Sequence, residues 1–100
     1  MIIPGTTPTH VFTVPFKADI IEKLEIVYAQ SGKAVVTKNI DACKISGNEI
    51  SVTLTQEDTL SFEDEENIAI RVRVLTNEGE ALASNIIHTY CGIRLSNEVL

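Results

Sequence analysis

Asn67-Ile-Ala-Ile-Arg-Val-Arg-Val-Leu-Thr76 decides the fold class. Ile68, Ile70, Val72 and Val74 fall on one face and Arg71 and Arg73 on the other. That period of two belongs to a pleated strand with one face buried, and it cannot make the 3.6-residue stripe of a helix. The same alternation recurs outward from this stretch. Upstream, Ile50, Val52 and Leu54 interleave with Ser51, Thr53 and Thr55; Leu24, Ile26 and Tyr28 interleave with Glu25, Val27 and Ala29; Phe12, Val14 and Phe16 interleave with Thr13 and Pro15. Pro15 places the first of these strands at a sheet edge or a strand end, because proline has no N–H to give a ladder.

The punctuation between the strands is that of turns. Gln30-Ser-Gly-Lys33 links the second strand to a returning Ala34–Lys38 strand as a hairpin, and Ser46-Gly-Asn-Glu49 joins a weak strand around Cys43 and Ile45 to Ile50–Leu54. Lys17–Ile21 reads as a turn or short helical piece. Thr55, followed three residues later by Asp58, reads as a capping box opening one helical turn. Thr76-Asn-Glu-Gly-Glu80 turns the chain into a last long strand, Ala81–Tyr90, extended or bulged into Cys91–Leu95.

Composition agrees with the pattern. The 13 Ile, 9 Val and 10 Thr outnumber the 7 Ala and 7 Leu, and branching at Cβ suits a half-buried sheet better than a helix. One hundred residues with 44% hydrophobic and 22% charged residues make one domain with one core. The expectation is an all-β chain: an Ig-like antiparallel β-sandwich of about seven strands, with a small closed barrel as the alternative. An extended N-terminal arm over residues 1–8 precedes the sandwich domain of residues 9–96, and a short tail covers 97–100. No apolar run reaches the roughly 20 residues of a membrane span, and Met1–Gly5 lacks the basic and apolar regions of a secretory leader.

Charge separates the halves. Residues 1–50 sum to zero and residues 51–100 carry the whole net charge of −6, with Glu57, Asp58, Glu63, Asp64, Glu65 and Glu66 in one stretch. Such a surface repels phosphate, so neither nucleic acid nor an anionic membrane is an expected partner. Cys43 and Cys91 have no metal-ligand spacing and read as free, buried thiols.

Chemistry is sparse. His10 and His88 are the only histidines, no GxSxG elbow is present, and the three-residue spacing of His88 and Cys91 puts them on opposite faces of a strand. No catalytic residue, cofactor or metal site is assigned, and the chain is not read as an enzyme. Glu63–Glu66 reads as a solvated loop, or else a weak cation site, without the register of a calcium loop. Arg71 and Arg73 are outer-face ion-pair partners, or else a basic stripe for an acidic partner. Asp58, Leu60 and Phe62 are read as a loop plug closing one end of the core. Ile2 and Ile3 either cover the domain's own core edge or insert into a partner.

Three stretches together carry a resemblance: Pro8–Phe16, Leu54–Phe62 and Arg71–Ile87. They resemble small prophage-encoded proteins of Firmicutes, a group to which no activity is assigned. Ig-like sandwiches of this size also occur in phage tail and baseplate components. The resemblance implies a structural or adaptor module made in the bacterial cytoplasm and carried in the virion, docking to copies of itself or to another phage structural protein. The alternative function is adhesion to a carbohydrate or cell surface, for which five aromatic residues and no Trp are a thin supply.

Overall fold

The computed structural model describes residues 1–100. Eight strands form in chain order: β1 (Thr9–Thr13), β2 (Ile21–Gln30), β3 (Lys33–Asn39), β4 (Cys43–Ser46), β5 (Glu49–Thr53), β6 (Asn67–Thr76), β7 (Ala81–Ala83) and β8 (Ile87–Tyr90). One helix, α1 (Gln56–Leu60), and two 3-10 turns (Ala18–Ile20 and Ile40–Ala42) complete the chain. No helix is long and apolar enough to cross a membrane.

Two antiparallel sheets face each other, one ordered β1-β5-β4 and the other β3-β2-β6 with β7 and β8 both on the free edge of β6. They do not close into a barrel, so the sandwich expectation holds and the barrel alternative falls. The strand order matches that of an Ig sandwich: β1, β5 and β4 take the places of its B, E and D strands, and β3, β2, β6 and β7–β8 those of C′, C, F and G. The place of an A strand beside β1 is not taken by this chain's own strands.

Alternation does what it promised. The inward residues of β2 and β6 (Leu24, Ile26 and Tyr28; Ile68, Ile70, Val72 and Val74) pack against Ile50, Val52 and Leu54 from the opposite sheet. Burying one such side chain contributes roughly 1.5–3 kcal/mol. The β2–β3 hairpin closes through Ser31 and Gly32, both in the left-handed region at φ 52° and 75°, between the paired Gln30 and Lys33. Two left-handed residues give the turn twist that matches the strands, which glycine adopts at little cost.

The single long strand expected over Ala81–Tyr90 is instead two. Val74 faces Leu82 and Ile70 faces Ile87, so the register slips by one residue between β7 and β8. Ser84 stands at the slip: its N–H bonds the Val72 carbonyl at 2.8 Å and its hydroxyl accepts from the Val72 N–H at 3.0 Å. This is a bulge, and alternation counted from either side cannot fix where it falls.

The N-terminal arm is part of the domain rather than an extension from it. Ile2 is 2% exposed and bridges Cys91 in parallel, its N–H on the Tyr90 carbonyl and its carbonyl accepting from Gly92. Of the two readings for Ile2 and Ile3, the first describes Ile2, which caps its own core. Ile3 is half-exposed and folds over Gly92, where a Cβ would come within 2.7 Å of its Cδ1.

Candidate functional site

The two long sides of the sandwich differ. On one, β3 and β4 are joined directly by the 3-10 turn Ile40–Ala42, and Lys33, Lys38 and Lys44 lie along these edges. On the other, β1 and β7–β8 face each other across an open groove of about 460 Å³. Phe12, Val14 and Phe16 form one wall, and Val72, Val74, Leu82 and Ile87 the other.

Hydrogen-bond phase explains what these edges offer. The Leu54 N–H bonds the Pro8 carbonyl and the Val14 N–H bonds the Asn48 carbonyl. In the register that pairs His10 with Val52 and Phe12 with Ile50, the ladder bonds to β5 fall on the even-numbered residues of β1. Thr9, Val11 and Thr13 therefore aim their N–H and C=O groups away from β5. By the same phase, Ala81 and Ala83 aim theirs away from β6. Val11, Leu82, Ile86 and Ile87 are all more than a third exposed.

The loop-plug residues gather at the far end, around α1. Thr55 caps the helix: its hydroxyl accepts from the Asp58 N–H at 3.0 Å, and the Asp58 carboxylate accepts from the Thr55 N–H at 2.8 Å. Phe62 is buried, its ring 6.2 Å from that of Tyr28. Leu60 is only half-buried, and the buried helix residue is Thr59, one position earlier. The plug is therefore Thr59 and Phe62. The Thr59 hydroxyl accepts from the Gly5 N–H and donates to the Thr6 carbonyl, both at 2.9 Å, which ties the arm to the helix. Asp58 is half-buried rather than enclosed, its carboxylate 2.7 Å from the Lys38 ammonium. Burial pushes its pKa up, but the Lys38 hydrogen bond and the Thr55 bonds outweigh that and hold it below the ordinary aspartate value.

Arg94 is the residue sequence reading missed. Its guanidinium bonds the Leu60 carbonyl at 2.8 Å, the Phe62 carbonyl, and Asp64 at 2.6 Å. Asp64 is thus engaged rather than simply solvated as expected, and the Arg94 hydrogen bond holds its pKa below the ordinary value. The signal was available: Arg94 is the one base after Arg73, in a chain whose acids concentrate at residues 57–66. The 97–100 tail returns to the same helix, where the Gln56 amide accepts from the Leu100 N–H at 2.7 Å.

The remaining ionisable groups are dispersed. Arg73 pairs with Glu25 across the outer face at 2.9 Å, while Arg71 is exposed beside it and makes no ion pair. His10 lies 2.6 Å from the Tyr28 hydroxyl, and burial lowers its pKa while raising that of Tyr28. Cys43 and Cys91 are free, each with its pKa raised by burial. His88 sits on the outer face 3.1 Å from Asn67. No group of three His, Cys, Asp or Glu side chains is placed to hold a metal ion.

Comparison with family models, curated proteins and solved structures gives no match for this chain.

Proposed function

We propose that this chain is a non-catalytic assembly module whose working surface is the open side between β1 and β7–β8. In keeping with the resemblance to small prophage proteins, it serves as a structural or adaptor piece of a phage particle. One observation carries the reading: an apolar groove lies between two strand edges on which the outward backbone groups of Thr9, Val11 and Thr13 and of Ala81 and Ala83 have no backbone partner within the chain. Main-chain groups give an incoming extended segment affinity, and the groove gives it side-chain pockets. An exposed edge without a partner is also what soluble domains ordinarily protect.

Purified particles from an induced lysogen carrying this gene provide the test. The chain is expected in them by mass spectrometry, with the Thr9, Val11 and Thr13 amides slower to exchange there than in the free protein. Its absence from the particles overturns the phage assignment. Unchanged exchange at these three amides overturns the docking surface.

A further inference from the structure

We infer that the occupant of the open side is a second copy of this chain, paired through antiparallel β1–β1 contact about a two-fold axis near Val11. The inference rests on the docking surface proposed above and names what fills it.

Charge is the first argument. Thr9–Phe16 and Ala81–Ile87 contain no Asp, Glu, Lys or Arg, in a chain that is 22% charged. Depletion of charge is the compositional mark of an interface core. A chain of net charge −6 repels its own copies most strongly around Glu57–Glu66, where its acids concentrate. The orientation follows from the same repulsion. Antiparallel pairing sends the acidic Glu57–Glu66 stretches to opposite ends of the dimer, each toward a strand end whose nearest charges, Lys17 and Glu49, cancel. Parallel pairing would set the two acidic stretches side by side.

The edges themselves supply the second argument. β3 carries Lys33 and Lys38, β4 has four residues including Lys44, and the β7–β8 edge is bulged and partly capped by Ile2. These are the devices by which sheets avoid joining. β1 has none of them before Pro15. Centred on Val11, the pairing sets Thr9 opposite the other copy's Thr13 and adds a strand in the unfilled place beside β1.

Area sets the strength. The five residues Thr9–Thr13 that overlap about Val11 span about 17 Å, and stacked sheets stand about 10 Å apart. Counting both sheet thicknesses, the strip is about 17 by 20 Å. A two-fold contact then hides on the order of 700 Å² in total, the size of a weak interface that dissociates on dilution. The mouths of the two grooves meet in this arrangement, so Phe12 and Leu82 of each copy leave water without any change of fold.

Light scattering on the full chain from micromolar to millimolar concentration tests the inference. The expected mass is twice 11.0 kDa, falling to 11.0 kDa on dilution. Val11→Pro removes only an outward-facing N–H and should give monomer at every concentration with an unchanged circular dichroism spectrum. Leu82→Lys, which leaves the backbone untouched, should weaken association at least tenfold, so a misfolded proline variant does not decide the matter. A wild type that remains at 11.0 kDa throughout, or a Leu82→Lys protein as dimeric as wild type, overturns the inference. If the monomeric wild type still shows protected Thr9, Val11 and Thr13 amides in particles, only the occupant is wrong. If that protection is missing as well, the docking surface falls with it.

Discussion

The α1 end and the open side are built from the same β-branched and aromatic residues, yet they are finished in opposite ways. At the α1 end every polar group near the core has a partner: Thr59 holds the arm, Arg94 holds two carbonyls and Asp64, and Gln30 exchanges two hydrogen bonds with the Glu63 backbone at 2.8 and 3.0 Å. Ile2 and Phe62 are shut beneath them. On the open side, Phe12, Val14 and Leu82 are only partly covered, and the neighbouring strand edges keep outward backbone groups free. A core edge that the chain completes by itself recruits polar side chains to seal it. The open side has Ser84 alone in that role, and its apolar walls stay partly exposed.

Substitutions sharpen the contrast, because the α1 end should respond in stability and the open side in association. Phe62→Ala should cost about 3–5 kcal/mol in urea unfolding, as a fully enclosed aromatic side chain is replaced by a cavity. A loss under about 1 kcal/mol would mean that the end is loosely packed. Arg94→Ala should cost about 1–3 kcal/mol by the same measurement, since it strips donors from the Leu60 and Phe62 carbonyls. Leu60→Ala should cost about 1 kcal/mol, less than a plug residue would, because Leu60 is half-buried. Leu82→Lys should change monomer stability by less than about 0.5 kcal/mol while weakening association. A loss comparable to that of Phe62→Ala would make the groove wall part of the folding core and erase the contrast.

Acid should act at the junction of the two regions. His10 lies on β1 against Tyr28, and burial lowers its pKa, so the fold prefers the neutral ring. Its contribution is fully present above the unfolded histidine value of about 6.5 and is lost as pH falls below it. The thermal midpoint should therefore drop between neutral pH and mildly acidic pH, and His10→Phe should flatten that part of the profile. A profile that His10→Phe leaves unchanged would place the acid sensitivity elsewhere. Asp58 and Asp64 act lower: their depressed pKa values give stability that is present above the ordinary aspartate range and lost as pH falls through the folded values.

Alternation made the inward faces of β1, β2, β5 and β6 legible, because sheet geometry assigns every second residue to one face whatever lies across from it. The Thr55–Asp58 capping box was legible for a similar reason, being local and self-contained. What period could not give was phase and partner. A five-residue helix is too short to show a stripe, so Leu60 was read as the plug where Thr59, four residues after the cap, turns inward. Ile2 lay ahead of any pattern, and its parallel bridge to Cys91 joins positions 89 residues apart. Arg94 likewise acts through carbonyls, which carry no sequence signature. The open side was half-visible: Pro15 marked β1 as an edge, but the uncharged Ala81–Ile87 stretch gained meaning only once it stood across the groove.

Residue-by-residue amide exchange along β1, in dilute and in concentrated protein, tests the central claim most directly. In dilute protein the Thr9, Val11 and Thr13 amides should exchange fast and those of His10, Phe12 and Val14 slowly, and concentration should bring the odd-numbered set down to the even. Uniformly slow exchange along β1 at every dilution would contradict the account, since it would mean that the edge is already paired within a single chain.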